Sequence, residues 1–322
     1  MVTLLAMSMT SVYAVDQKWK RSAMLEQGDS IQLFYGTNAL GDAYNAAADS
    51  GAVIMLSKGS WGEFSINKKI KLIGFYGFSS DYDNATLFDQ LTIVADDVII
   101  DGVFCNRMDV VKVNGLKIIH SCVNERLSDN GYPHVNTTIE QCYVGNFSDE
   151  FFANSANLRF YNSTLNPDWW HNNDNENIIY VTNCVVFINE LDNLPYGAYH
   201  NNVMIVNDYR VEASFPNVYY YNTFIDESNR YSAPYLDFGQ YVVREGNHVK
   251  SFETVFGDVD AKRWRLMYPV NPGTGSDGTP CGPLGGSGFT DSPQIPRVTG
   301  SDIDVYPDSA GKLNVKITVS AE

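Results

Sequence analysis

The sequence predicts an all-β chain wound into a single-stranded right-handed parallel β-helix, a solenoid of about twenty-residue coils with a short N-terminal capping helix. Three observations carry that prediction: a four-residue pattern that recurs along the chain, a composition weighted toward strands and turns, and a short helical period ahead of the first coil.

The pattern is an apolar residue, a polar one, a small or amide residue, then a small one. It reads Ile100-Asp101-Gly102-Val103, Ile119-His120-Ser121-Cys122, Ile139-Glu140-Gln141-Cys142 and Phe160-Tyr161-Asn162-Ser163, and continues as Val181-Thr182-Asn183-Cys184, Tyr199-His200-Asn201-Asn202 and Tyr220-Tyr221-Asn222-Thr223. The final positions, 103, 122, 142, 163, 184, 202 and 223, give steps of 19, 20, 21, 21, 18 and 21. A period near twenty with no helical pattern inside it excludes helix-pair repeats and fits short strands stacked about 4.8 Å apart. The residue opening each tetrad, together with Cys105, Asn124, Val144, Leu165, Val186, Met204 and Ile225, should face the lumen. Asn162, Asn183, Asn201 and Asn222 are expected to form a stacked amide ladder. Cys122, Cys142 and Cys184 fall on one row and read as small buried fillers rather than as a zinc site, which needs four ligands.

Composition supports the same fold. The chain of 322 residues is 44% hydrophobic and holds 20 Tyr, 17 Phe and 5 Trp, enough apolar surface for one large core and well suited to strands. Ahead of the coils, Ala39-Leu40, Ala43-Tyr44 and Ala47 recur at helical spacing, predicting an amphipathic helix that covers the open end of the first coil. Residues 1–14, MVTLLAMSMTSVYA, are apolar and uncharged and end in a small residue, which reads as a secretory signal peptide. The expected organisation is therefore residues 1–14 signal peptide, 15–290 parallel β-helix and 291–322 a C-terminal extension with a final strand, in a secreted protein of the periplasm, extracellular space or cell surface. No later stretch reaches the ~18 apolar residues of a membrane span, so no membrane insertion is expected. A net charge of −16 argues against nucleic acid as a partner. A monomer is expected.

Two segments carry a family resemblance. Gly41 to Gly74, GDAYNAAADSGAVIMLSKGSWGEFSINKKIKLIG, resembles the opening of many right-handed β-helix proteins: cap helix, apolar strand, Gly-aromatic turn and first coil. Gly273 to Gly286, GTGSDGTPCGPLGG, resembles the last coil of secreted, pectate-lyase-like β-helix proteins of polysaccharide-degrading Gram-negative bacteria, where it closes the solenoid; PQIPRV and GKLNVKITVSAE resemble that group's C-terminal extension. The resemblance implies a pectin-lyase-type fold and a polysaccharide partner. It does not bring an activity with it, because the polygalacturonase-type N-T-D, G-H-G and R-I-K set and the R-x-P-x-x-R of calcium pectate lyases are missing.

Residues one coil apart lie side by side on a solenoid, so a site is expected as matching positions in successive coils. Asp101, His120 and Glu140 on the outward tetrad position form one candidate acid–base cluster. The segments after each tetrad supply the other. Uronate lyase chemistry needs a base and a partner for the carboxylate, and Arg126, His134 and Arg210 are base candidates, with Asp149, Glu150 and Asp168 as oxygen donors for Ca²⁺; His171 joins this catalytic set. Two of these carboxylates would equally serve glycoside hydrolysis. Trp169, Trp170, Tyr132 and Tyr209 are the candidates for stacking on sugar rings. No particular metal ligand set follows. Two functions stay open at this point: a lyase-like or glycoside-hydrolase-like protein acting on an extracellular glycan, and a non-catalytic glycan-binding or cell-surface protein.

Overall fold

A computed structural model describes residues 21–75, 77–78, 85–148, 150–166, 178–190, 194–208, 218–226, 243–257, 269–289, 297–303 and 315–320. The chain divides into two compact units, Met1–Thr290 and Asp291–Glu322. Among the described residues of the second, Arg297–Ile303 and Val315–Ser320 pair as an antiparallel hairpin. The first unit is the predicted all-β, right-handed parallel solenoid.

Each coil contributes one strand to each of two sheets. The first sheet runs Ser30–Tyr35, Ser22–Gln27, Ser50–Leu56, Lys69–Ile73, Ile99–Asp101, Lys117–Ile119, Thr138–Glu140, Arg159–Tyr161, Ile179–Thr182, Gly197–His200, Val218–Tyr220 and Val243–Glu245. The second sheet runs from Gly59–Ser60 through Thr86–Ile93, Phe104–Val110, Cys122–Ser128, Tyr143–Val144, Thr164–Leu165, Val185–Glu190, Val203–Asp208 and Thr223–Asp226 to His248–Lys250. Pairing is parallel from Ser50–Leu56 onward, whereas the first two strands form an antiparallel hairpin that the repeat did not foreshadow.

The register corrects the tetrads in two coils. Ile100, Ile118, Ile139, Phe160, Val181, Tyr199 and Tyr219 stand opposite one another, so Ile118 and Tyr219 turn inward in place of Ile119 and Tyr220. All seven are at most 2% exposed. In both coils the sequence offers two identical neighbours, Ile-Ile and Tyr-Tyr, and a period of two cannot choose between them. The second lumen row shifts in the same way: it is Cys105, Val123, Val144, Leu165, Val186, Met204 and Phe224, with Val123 and Phe224 replacing Asn124 and Ile225. Burying each such side chain contributes about 1.5–3 kcal/mol, which is why the backbone settles where both rows are filled.

The turn between the sheets explains the asparagines. Gly102, His120, Gln141, Asn162, Asn183, Asn201, Tyr221 and Gly246 occupy the same corner of successive coils, all with φ between +46 and +69°. Glycine and asparagine adopt this left-handed conformation at least cost, so Asn162, Asn183 and Asn201 are corner residues first. They do not form the expected ladder. The amide ladder lies one residue further, inside the turn: Asn202 Nδ2 donates to Asn222 Oδ1 at 3.0 Å, and Asn222 Nδ2 to Asn247 Oδ1 at 3.2 Å. Ser121, Cys142, Ser163 and Cys184 continue this row, the serine hydroxyls and cysteine thiols donating to the carbonyl two residues back at 2.7 to 3.3 Å. Cys122 leaves the predicted row and joins Phe104 and Tyr143 on the outer side of the second sheet. All five cysteines are buried and outside any disulfide, and burial pushes the Cys105, Cys142 and Cys184 thiols up to about 12.

The cap helix is Ala39–Ala46, with Ala39, Leu40, Ala43 and Tyr44 buried as the spacing predicts. Lys68 Nζ donates to the Tyr44 and Ala47 carbonyls at 3.0 and 2.7 Å, satisfying groups the helix end leaves open.

The glycine-rich segment differs from its predicted place. It does not close the last coil but lies along the outside of the corner as a strap. Thr223 Oγ1 donates to the Pro272 carbonyl, Ser276 N to Asn201 Oδ1 at 2.9 Å, and Asn162 Nδ2 to the Pro283 and Gly285 carbonyls at 2.9 and 2.7 Å. At Phe289 the strap meets Phe78, ring centroids 5.2 Å apart. A Cβ on Gly275 would stand 2.8 Å from Asn201 Cγ, so the close approach requires glycine there.

Candidate functional site

The two sheets expose very different outer faces. On the second, Val185, Val203, Ile205 and Ile225 are covered by Val255 and Phe256 of the short helix Phe252–Phe256 and by Cys281 of the strap. Leu87, Phe104, Cys122 and Tyr143 pack with Ala85 and Phe78. The outer face of the first sheet has no such cover among the described residues, and it carries two in-register rows. One is Asp101, Ile119, Glu140, Tyr161, Thr182, His200 and Tyr220; the other is Ile99, Lys117, Thr138, Arg159, Tyr180 and Ala198.

The rows hold polar and aromatic groups in contact from coil to coil. Lys71 Nζ lies 3.1 Å from Asp101 Oδ2, and Lys117 Nζ 3.0 Å from Glu140 Oε2. The Arg159 guanidinium stacks over the Tyr180 ring at 5.4 Å while its Nε donates to Asn157 Oδ1 at 3.0 Å. Further along, the His200 and Tyr220 rings are 5.1 Å apart. Tyr180 is 39% exposed, so its ring offers a face to solvent.

At one end of the same face is a carboxylate–histidine pair. His120 sits at the corner rather than on the strand, but Nδ1 still reaches Asp101 Oδ1 at 2.9 Å. Burial would raise the Asp101 carboxyl; hydrogen bonds and positive charge from His120 and Lys71 outweigh it and hold the carboxyl below its ordinary value. Two of the three residues named for an acid–base cluster, Asp101 and His120, therefore touch, whereas Glu140 pairs with Lys117.

The loops after the second-sheet strands place the remaining described candidates. Arg126 is exposed and in register with Arg107 of the preceding coil. The buried Asp129 ties two successive loops together: its Oδ1 accepts from Ser148 Oγ at 3.1 Å and its Oδ2 from Asn154 Nδ2 at 2.8 Å. Those loops present Tyr132, 49% exposed, and Glu150, whose carboxylate lies beside Gly131. His134 faces inward instead. It is fully buried, its Nε2–H donates to the Phe151 carbonyl at 3.0 Å, and its Nδ1 accepts from the Thr137 hydroxyl at 3.1 Å, which fixes the tautomer. Desolvation lowers the pKa of this imidazole, against the opposing effects of Phe151 and Asp129, and keeps it neutral. Asp149, Asp168, Trp169, Trp170, His171, Tyr209 and Arg210 lie outside the described residues. Among the described residues no group of three His, Cys, Asp or Glu side chains is placed to hold a metal ion, and no helix is long and apolar enough to cross a membrane.

Sequence reasoning took the second tetrad position, from Asp101 to Tyr221, as outward and put Arg159 on the same face, but missed Lys117, Thr138 and Tyr180, which form a second row with Arg159. Part of its signal was available: Thr138, Arg159 and Tyr180 each precede the residue that opens a tetrad by one position, whereas Lys117 does so only in the register the structure shows. An exposed amide ladder at the second corner was also missed, in which Asn157 Nδ2 donates to Asn136 Oδ1 at 2.6 Å and Asn136 Nδ2 to Asn114 Oδ1 at 2.8 Å. Comparison with family models, curated proteins and solved structures finds no match.

Proposed function

We propose that the protein is a secreted, carbohydrate-active β-solenoid of the pectate-lyase-like kind its sequence resembles, and that it holds an extracellular polysaccharide across its coils on the outer face of the first sheet. The observation that carries this reading is the uncovered two-row face, with Tyr161, Tyr180 and Tyr220 alternating with hydrogen-bonding side chains. Aromatic faces bury the C–H side of a sugar while neighbouring polar groups take its hydroxyls. Coils about 4.8 Å apart repeat that offer along an extended chain. Affinity electrophoresis against neutral and acidic polysaccharides, with and without Ca²⁺, tests it. Tyr180→Ala should weaken binding to the retained polysaccharide about tenfold, equivalent to ~1.4 kcal/mol. Retention of none of the panel, or unchanged retention of the variant, sinks the proposal.

A catalytic role is favoured by one specific feature, the Asp101–His120 pair. Asp101 orients the ring through Nδ1 and leaves Nε2 as the atom to accept or deliver a proton. In this reading His120→Gln leaves polysaccharide binding intact and abolishes new reducing ends or unsaturated uronate. Products formed at the wild-type rate by His120→Gln would exclude His120 as the proton carrier.

A further inference from the structure

Three corner asparagines lie beneath the glycine-rich strap, and two of them are bonded to it. Asn162 donates to the Pro283 and Gly285 carbonyls, and Asn201 Oδ1 accepts from the Ser276 N–H and hydroxyl at 2.9 and 3.2 Å. Asn183 stands between them, one coil from each. It is buried just as deeply, at 6% exposure, yet its Oδ1 accepts no hydrogen bond among the described residues. A buried amide oxygen is costly to leave in that condition unless something positive meets it. What it faces is more oxygen. The point where a Cβ on Gly285 would stand is 3.3 Å from Asn183 Oδ1, 3.0 Å from Thr279 Oγ1 and closest of all to the Pro280 carbonyl oxygen. Asp277 adds a carboxylate beside them: its Oδ2 is 3.9 Å from the corresponding point on Gly286. Its Oδ1 accepts from the Thr279 N–H and hydroxyl at 2.9 and 2.7 Å, bonds that hold this carboxyl below its ordinary value. The absence of side chains at Gly285 and Gly286 lets these oxygens converge.

We propose that Asn183 Oδ1, the Pro280 carbonyl, the Thr279 hydroxyl and the Asp277 carboxylate bind a Ca²⁺ ion that fastens the strap to the corner between its two asparagine contacts. Amide, carbonyl and hydroxyl oxygens around one carboxylate suit a hard cation of flexible geometry, with water completing the shell. Mg²⁺ demands a near-ideal octahedron and gives up its water reluctantly, and Zn²⁺ prefers nitrogen and sulfur. With a single acidic side chain, the site differs in kind from the groups of three His, Cys, Asp or Glu that are missing among the described residues. The same single charge places it in the weak class of extracellular calcium sites, with Kd about 10⁻⁴–10⁻³ M. A net charge of −16 favours cations at the surface and helps such a site fill. The ion sits at the corner under the strap and not on the open face of the first sheet, so its role is to hold structure, independent of any polysaccharide.

Thermal melts of the purified full-length chain, with no polysaccharide present, test this in EDTA, in CaCl₂ and in MgCl₂. Calcium at about 5 mM, some tenfold above Kd, should raise the wild-type Tm by about 3–5 °C over EDTA, and magnesium at the same concentration should not. Asp277→Asn keeps an oxygen for Thr279 but loses the charge, and should lose the calcium shift. Asn183→Asp can hold the corner's φ of +55°, which aspartate tolerates. In EDTA its charge faces other oxygens and should lower Tm below wild type; in calcium it should regain that loss and show roughly twice the wild-type shift. A wild type indifferent to calcium, an equal shift in magnesium, a shift that survives Asp277→Asn, or an Asn183→Asp loss that is the same in EDTA and in calcium overturns the proposal.

Discussion

The two sheets share one lumen and one coil period, yet their outer faces have opposite fates. Outside the second sheet, branched and aromatic residues need cover: the Phe252–Phe256 helix and Cys281 of the glycine-rich strap cover Val203 and Ile205, and Ala85 and Phe78 pack with Phe104. Outside the first sheet, the corresponding positions carry Lys117, Glu140, Arg159 and Thr182, which are solvated and leave the face open. The difference teaches that coil geometry builds both faces equally, and that outward side chains decide which is sealed for stability and which stays open to solvent.

Substitutions on the two faces should therefore separate stability from binding. The largest expected effect is Phe256→Ala, which removes a 4% exposed ring from the seal and should lower unfolding stability by about 3 kcal/mol in denaturant titration. Tyr180→Ala on the open face should cost under ~1 kcal/mol in the same experiment while weakening polysaccharide binding. Similar losses at both positions would erase the distinction.

Next comes the corner that the strap covers. Asn162 has φ +47° and holds the strap through both Nδ2 bonds and through Ser287 Oγ at 3.2 Å from its Oδ1. Asn162→Ala loses the hydrogen bonds and strains the corner, at about 2 kcal/mol together. Asn162→Gly keeps the backbone conformation and should cost roughly half as much. Equal losses would show that conformation plays no part.

A smaller effect is the pH dependence of the loops beside the solenoid. His134 is held neutral in the fold and its pKa is depressed, so the unfolded chain binds the proton more readily. Its contribution is complete above the unfolded value of about 6.5 and is lost as pH falls below it toward the folded value. Thermal melts between neutral and mildly acidic pH should show wild-type stability falling, with a shallower slope in His134→Gln. Parallel slopes would rule His134 out as the source.

Much of the fold was legible because coil repetition imposes itself on sequence at every turn: five of seven tetrads, the lumen rows they imply and the cap helix follow from apolar and small residues at fixed spacing. The failures have one physical origin. Where Ile118-Ile119 and Tyr219-Tyr220 offer identical neighbours, hydrophobicity leaves the register degenerate, and that slip carried His120 and Tyr221 to the corner and Cys122 out of the thiol row. The site was less legible still. His134 resembles a base in sequence, but its loop folds it under Phe151, and nothing local announces that Asp129 will tie two loops together.

The sequence alone determined that the chain winds into coils of about twenty residues, since a repeated demand for inward apolar side chains has few other solutions. Only the tertiary structure decided which outer face stays open, that the glycine-rich segment lies along the corner instead of closing the last coil, and that Ser30–Tyr35 ends the first sheet. Those outcomes depend on contacts between segments as far apart as Asn162 and Gly285, and on what happens to stand at an edge, neither of which leaves a period in the chain.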